Sequence, residues 1–273
     1  MGFISTIKRE INYISGLLRM LRSVKDVDAE SNHLVADELE KRVDQYGPNT
    51  AFIEDDREWT YDEFENYANK VAGWARAQGL KANDTVAVFV RNRLEYVALW
   101  FGLSKLGVVP ALLNFQLSGA RTFDEALTDV VPNRPAKSER QGLKAGDQAI
   151  KMFTSGTTGM PKAAKVTHVR AQNYLRGIGT GAKSGPTDRM MMVLPLYHAT
   201  GGLVGIGCAL THGGAVIVQP KFSATKFWDE AVRHGATQFT YVGELCRFLL
   251  STPPHPLERD HKIRWAIGNG LRK

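Results

Sequence analysis

Cysteine is almost missing from this chain: Cys208 and Cys246 are the only two in 273 residues. They lie far apart in apolar surroundings, which speaks for reduced thiols in a cytoplasmic protein and against a disulfide framework. No Cys or His pair has zinc-type spacing, so a structural zinc site is not expected. Uninterrupted apolar runs are short, and none reaches the roughly 18 residues that read as a membrane-spanning helix. The first segment does not read as a secretory signal either, because no continuous apolar stretch precedes a small-residue cleavage site. Nothing matches a basic-aromatic nucleic-acid module. The net charge of +7 therefore points toward anionic membrane or phosphate-rich ligands, and nucleic acid is not an expected partner.

What is present is an alternation of helices and strands. Residues 1–25 are amphipathic: Ile4, Ile7, Ile11, Ile14, Leu18 and Leu21 recur at helical spacing, with Lys8, Arg9, Arg19, Arg22 and Lys25 on the remaining face. Two readings stand side by side: an interfacial helix on an anionic membrane, or a helix packed on the domain surface. From residue 30 onward, helix-patterned stretches at 35–46, 61–78 and 94–106 alternate with apolar strand-like runs at 50–53, 85–90 and 108–113. Both of the last two runs read as buried strands. This order implies an α/β fold with mostly parallel sheets flanked by helices. Residues 121–146 break the pattern with Pro132, Pro135 and a charged run. They read as an irregular, poorly ordered connection with one helical turn near Asp124 to Leu127. After it the alternation resumes, with an apolar helix expected over 201–211 and a last strand over 263–267.

The chemistry concentrates at residues 154–162, TSGTTGMPK. Thr154, Ser155, Thr157 and Thr158 offer hydroxyls, and Gly156 and Gly159 free the backbone to turn several N–H groups toward one anion. Lys162 adds a point cation suited to phosphate. In a P-loop the Lys directly follows the second Gly, whereas here Met160 and Pro161 intervene. A Walker-type nucleotide hydrolase is thereby excluded. The run at 177–182 has GxGxxA character but sits within or after a helix, so it is no dinucleotide fingerprint. The same loop composition would also suit a flexible linker, but linkers rarely lie between two apolar strand-like runs.

Several blocks together resemble one family. TSGTTGMPKAAKVTH resembles the phosphate loop of the adenylate-forming enzymes: acyl-CoA synthetases, luciferases and peptide-synthetase adenylation domains. Trp59-Thr60-Tyr61, the block at 79–114 and LPLYHATG at 194–201 are similar to further blocks of that superfamily. Ala163-Ala164 after Pro-Lys, and AIGNGLR at 266–272, are similar to its fatty acid transport protein and very-long-chain acyl-CoA synthetase branch. The resemblance implies part of a large N-terminal synthetase domain over residues 30–272.

It also implies a chemistry. A fatty acid carboxylate attacks the α-phosphate of ATP, giving acyl-AMP and pyrophosphate, and CoA thiol then displaces AMP. On this reading Thr154, Ser155, Gly156, Thr157, Thr158, Gly159 and Lys162 hold the β- and γ-phosphates. His198 lies beside the carboxylate or acyl pocket, with Tyr197 and Thr200 as weaker pocket candidates. Gly268, Asn269 and Gly270 pass close to the adenylate. Fatty acid, ATP and CoA are the implied partners, with Mg2+ as the implied metal; no residue of this chain matches its ligand block. Peripheral contact with the inner face of a membrane through residues 1–25 is an additional expectation.

The pattern departs from the family twice. Relatives in the family carry several tens more residues between the block ending at 120 and the glycine loop, so residues 121–146 read as a deletion scar. The family's later blocks and its C-terminal domain, with the catalytic lysine, are not matched before Lys273. Two alternatives follow: a non-catalytic nucleotide- or membrane-associated remnant, and a CoA ligase for another acid, such as a carnitine-like or aromatic one.

Overall fold

The computed structural model describes residues 3–114, 124–154 and 162–270. The helices are α1 (Phe3–Ser23), α2 (Val35–Tyr46), α3 (Tyr61–Ala77), α4 (Glu95–Ser104), α5 (His168–Gly181), α6 (Ile206–Leu210), α7 (Phe227–Arg233) and α8 (Gly243–Ser251). The strands are β1 (Thr50–Glu54), β2 (Arg57–Thr60), β3 (Thr85–Val88), β4 (Val109–Leu112), β5 (Gln148–Thr154), β6 (Lys162–Thr167), β7 (Arg189–Met192), β8 (Ala215–Val218), β9 (Gln238–Val242) and β10 (Trp265–Asn269). Among the described residues ten strands form two sheets, one of order β10-β9-β7-β8-β1-β2 and one of order β3-β4-β5-β6. Both are parallel except at one edge each, where β2 runs antiparallel to β1 and β6 antiparallel to β5. The mostly parallel α/β architecture read from the alternation is the one observed.

Local chemistry explains the best-defined boundary. Thr60 caps α3: its hydroxyl accepts from the Glu63 N–H at 3.1 Å, and the Glu63 carboxylate accepts from the Thr60 N–H at 2.8 Å. This reciprocal pair satisfies two donors that a helix start leaves open. On either side of the cap, Trp59 rests on Tyr67 at 5.1 Å and Tyr61 is buried. The Tyr61 hydroxyl donates to the carbonyls of Gly214 (2.8 Å) and Leu210 (3.2 Å), pinning α3 to the α6–β8 corner. The Trp-Thr-Tyr block is thus a strand end, a cap and an anchor in succession.

Three expectations need correction. Strand β3 stops at Val88, its one buried residue; as the sheet edge it leaves Thr85 and Ala87 exposed, with Val86 half-buried against the core. The helix expected over 201–211 is split: a π-type turn covers Thr200–Gly205 and α6 is confined to Ile206–Leu210. The last strand begins at Trp265 rather than 263 and is likewise an exposed edge.

Over 124–146 the chain makes two single turns, Asp124–Leu127 and Lys137–Arg140. Buried charge ties this stretch to the helices. The Arg140 guanidinium, almost fully enclosed, donates to Asp37 and Glu40 at 2.7 Å each and to the Lys105 carbonyl at 3.0 Å. Lys105, fully buried in turn, donates to Glu40 (3.0 Å) and Glu65 (2.7 Å). Arg134 reaches Glu65 and Asp44 at 2.7 Å. Buried charges persist only when paired in this way.

The two cysteines are free, with Cys208 buried and Cys246 half-buried. No helix among the described residues is long and apolar enough to cross a membrane. Helix α1 lies against α5, where Arg19 donates to the Gly181 carbonyl at 2.8 Å.

Candidate functional site

In open parallel sheets the loops leaving the carboxyl ends of the strands carry the function. Here those ends converge. Strands β7, β8, β9 and β10 are mutually parallel through the first sheet, so the segments after Met192, Val218, Val242 and Asn269 leave on one side. In the second sheet β3, β4 and β5 are parallel, so residues after Val88, Leu112 and Thr154 also share a side. The two sides meet at Asn92, four residues beyond β3. Its amide bonds the backbone of Leu194 and Leu196 after β7 and of Gln219 after β8.

The glycine loop spans the end of the β5–β6 pair, where Thr154 and Lys162 are the last registered partners. Ser155, Gly156, Thr157, Thr158 and Gly159 lie outside the described residues. Lys162 is exposed at the start of β6. Its neighbours Ala163 and Ala164 are exposed as well, so this edge presents little bulk beside the lysine.

His198 ends the segment that leaves β7. Its N–H donates to the Pro195 carbonyl at 3.2 Å, and its own carbonyl accepts from Gly202 N–H at 2.7 Å. The backbone doubles back so tightly that a Cβ on Gly202 would overlap the Leu196 carbonyl oxygen. The side chain is exposed, and the buried Tyr197 ring lies 4.3 Å from it, tilted by 49°. Partial desolvation by the surrounding protein holds the imidazole below its ordinary pKa, so it is neutral at pH 7. A neutral ring can donate one hydrogen bond and accept another. Burial pushes the Tyr197 phenol upward, keeping it protonated. Thr200 opens the π-type turn just beyond and is half-buried.

Gly268 and Asn269 close β10 and Gly270 follows with φ +73°. All three are exposed. At Gly268 a Cβ would overlap the Tyr241 carbonyl oxygen of the neighbouring strand, so the protein's own β9 backbone demands glycine there. The structure brings His198 and the 268–270 segment to one side of a single sheet, and the flanks of the glycine loop to the corresponding side of the other. Sequence reasoning missed Asn92. It lies within the quoted 79–114 block, but nothing in that block shows which backbone groups its amide reaches.

Among the described residues no three or more His, Cys, Asp or Glu side chains are grouped to hold a metal ion. The described residues thus group no such ligand set for the magnesium ion that the resemblance implies.

This arrangement defines a class: a mostly parallel α/β domain with a glycine-rich segment joining β5 to β6 and a histidine-bearing loop after β7. A family description, AMP-binding enzyme, matches residues 39–130 and 120–272. The chain belongs to the AMP-binding enzyme family. It is 34% identical over 268 residues to mouse (Mus musculus) long-chain fatty acid transport protein 1, covering 78% of this chain and 41% of that protein. It is 30% identical over 277 residues to the medium/long-chain-fatty-acid–CoA ligase FadD6 of Mycobacterium tuberculosis, covering 86% of this chain and 46% of the ligase. Its fold is that of the N-terminal domain of FACL13 from Mycobacterium tuberculosis, with TM-score 0.74, 22% identity, and coverage of 86% of this chain and 69% of that one. The chain thus spans less than half the length of these curated relatives.

Proposed function

We propose that this chain is the phosphate-loop portion of an ATP-dependent, AMP-forming ligase that activates long-chain or very-long-chain fatty acids for transfer to CoA. The observation that carries this reading is the convergence of the His198 loop and the β5–β6 hairpin end on one side of the fold, in a chain of the AMP-binding family. The 154–162 loop holds the β- and γ-phosphates through Thr154, Ser155, Gly156, Thr157, Thr158, Gly159 and Lys162. Donors fixed before reaction stabilise the charge that shifts toward the leaving pyrophosphate without reorganisation. Neutral His198 donates a hydrogen bond to the attacking carboxylate and orients it toward the α-phosphate. Tyr197 and Thr200 border that position, and Gly268, Asn269 and Gly270 edge the adenylate. CoA then takes the acyl group as the thioester.

ATP–pyrophosphate exchange with oleate tests this reading on the whole chain. Exchange that disappears in Lys162→Ala supports it. A second reading is a nucleotide- or membrane-associated module without catalysis, favoured by a chain that spans 41% of the length of long-chain fatty acid transport protein 1. ATP binding with no exchange at high protein concentration would establish that alternative. A panel of carboxylic acids in the same assay separates fatty acids from carnitine-like or aromatic ones.

A peripheral membrane contact through residues 1–25 belongs to the same proposal. Helix α1 docks on α5 along one side, while Ile11, Ile14, Leu18 and Leu21 are each about half exposed on another.

A further inference from the structure

The bend between β7 and His198 contains backbone groups that no sheet can satisfy. Strand β7 ends at Met192, so the ladder does not reach Leu194 or Leu196. Pro195 between them has no N–H to offer. Both leucines are buried, and an unpaired backbone group in such a place is destabilising. One side chain resolves this. Asn92, 4% exposed, donates from Nδ2 to the Leu194 carbonyl at 2.9 Å, and its Oδ1 accepts from the Leu196 N–H at 2.9 Å. The same Nδ2 donates to the Gln219 carbonyl beyond β8 at 3.3 Å.

We propose that Asn92 is a positioning residue for His198, its amide fixing residues 194–196 in the one bend that presents the imidazole to the substrate carboxylate. Leu196 is held on both sides: Asn92 grips its N–H, and the Gly202 backbone closes on its carbonyl. His198 follows two residues later, its N–H returned to the Pro195 carbonyl between the two gripped groups. Asn92 is itself anchored. Two residues on, the Leu94 N–H donates to Glu54 at the end of β1 at 3.3 Å. Glu95 is paired with Arg93 (2.5 Å) and with Arg57 of β2. The clamp therefore joins the carboxyl ends of β1, β3, β7 and β8. Only a carboxamide meets the demand, since the site needs one acceptor and a donor aimed at two carbonyls. Aspartate would set a charged oxygen against both carbonyls.

The inference rests on the reading of His198 as the group beside the carboxylate, and a double-mutant cycle tests it. In oleate-dependent ATP–pyrophosphate exchange, Asn92→Ala and Asn92→Asp should each lower kcat/KM for oleate by about tenfold or more, since small misplacements of reacting groups cost on that scale. The KM for ATP should stay within about twofold of wild type. In a His198→Ala background, Asn92→Ala should add nothing. An equal loss in both backgrounds overturns the proposal. Absence of exchange in the wild type would overturn the ligase reading instead, and a second readout then decides the clamp. In ring-labelled protein followed by NMR, His198 should titrate below the ordinary imidazole value. Asn92→Ala should raise it toward that value and leave the buried His168 unmoved. A His198 titration unchanged by Asn92→Ala overturns the clamp.

Discussion

Gly202 lets the His198 turn close, and its replacement is the sharpest single-residue test of that geometry. A Cβ there would overlap the Leu196 carbonyl, and the obstacle is backbone, not a side chain that can swing aside. Gly202→Ala should cost about 1–3 kcal/mol in urea unfolding, the range for forced overpacking. Gly185→Ala is its control. A Cβ there meets nothing within 4 Å, so the change should stay within about 0.5 kcal/mol. Equal effects at the two glycines would refute the close-packed turn. At this scale the sequence was legible where chemistry is local. His198 stands out because it lies within a block that resembles one family. Asn92 does not, because its partner Leu194 is 102 residues away along the chain and an asparagine before a helix reads as an ordinary turn or cap residue.

At the scale of elements, alternating patterns placed most helices and strands, and the helix pattern starting at Tyr61 matches the observed start of α3, where Thr60 and Glu63 form the cap. Edge position was not legible. A run such as 85–90 looks buried because its residues are apolar, and only the order of strands shows that β3 has a neighbour on one side alone. The split of the 201–211 helix was hidden for a related reason. Helical apolar spacing does not register that the Ile206 N–H reaches back five residues to the Gly201 carbonyl, the π spacing.

Helix α1 left two readings open, and the fold gives each a face. One side meets α5, while Ile11, Ile14, Leu18 and Leu21 remain exposed between 47% and 60%. Arg22 and Lys25 are exposed near its end. An apolar row flanked by cations suits the boundary of an anionic bilayer. The chain should therefore co-sediment with anionic vesicles and be released by salt. Ile14→Glu with Leu18→Glu should abolish binding and leave the melting temperature within a few degrees, since neither side chain is in the core. Equal recovery in the supernatant with and without vesicles would rule out the contact.

At the scale of the whole molecule, the units around α2 are held by buried ionisable groups, and this makes stability depend on pH in a defined direction. His168 opens α5 almost fully buried, and its Nδ1 accepts the Val35 N–H at 3.3 Å at the head of α2. Burial pushes its pKa down to about 4 from an ordinary 6.5, a displacement that Asp147 and Asp37 only partly offset. Glu38 sits in the same helix. Burial works to raise its pKa, but bonding from His33 and the charge of Arg42 outweigh it, leaving the carboxyl at about 2 instead of 4.5. Both folded-state values are depressed, so in each case the unfolded chain binds the proton more readily. Stability is then fully present above the unfolded value and is lost as pH falls toward the folded one. His168 removes its share between pH 6.5 and about 4, and Glu38 between about 4.5 and about 2. Each displacement corresponds to roughly 3 kcal/mol at most, at 1.36 kcal/mol per pH unit. Urea midpoints should accordingly begin to fall just below neutrality, well before ordinary carboxylates titrate. In His168→Asn, which has no titrating ring, the early part of the fall should flatten between pH 6.5 and 4.5 while the steeper acid limb from Glu38 persists. A wild-type midpoint that stays level down to pH 4.5, or an early limb undiminished in His168→Asn, would show that the contact between α5 and α2 does not bury a neutral imidazole.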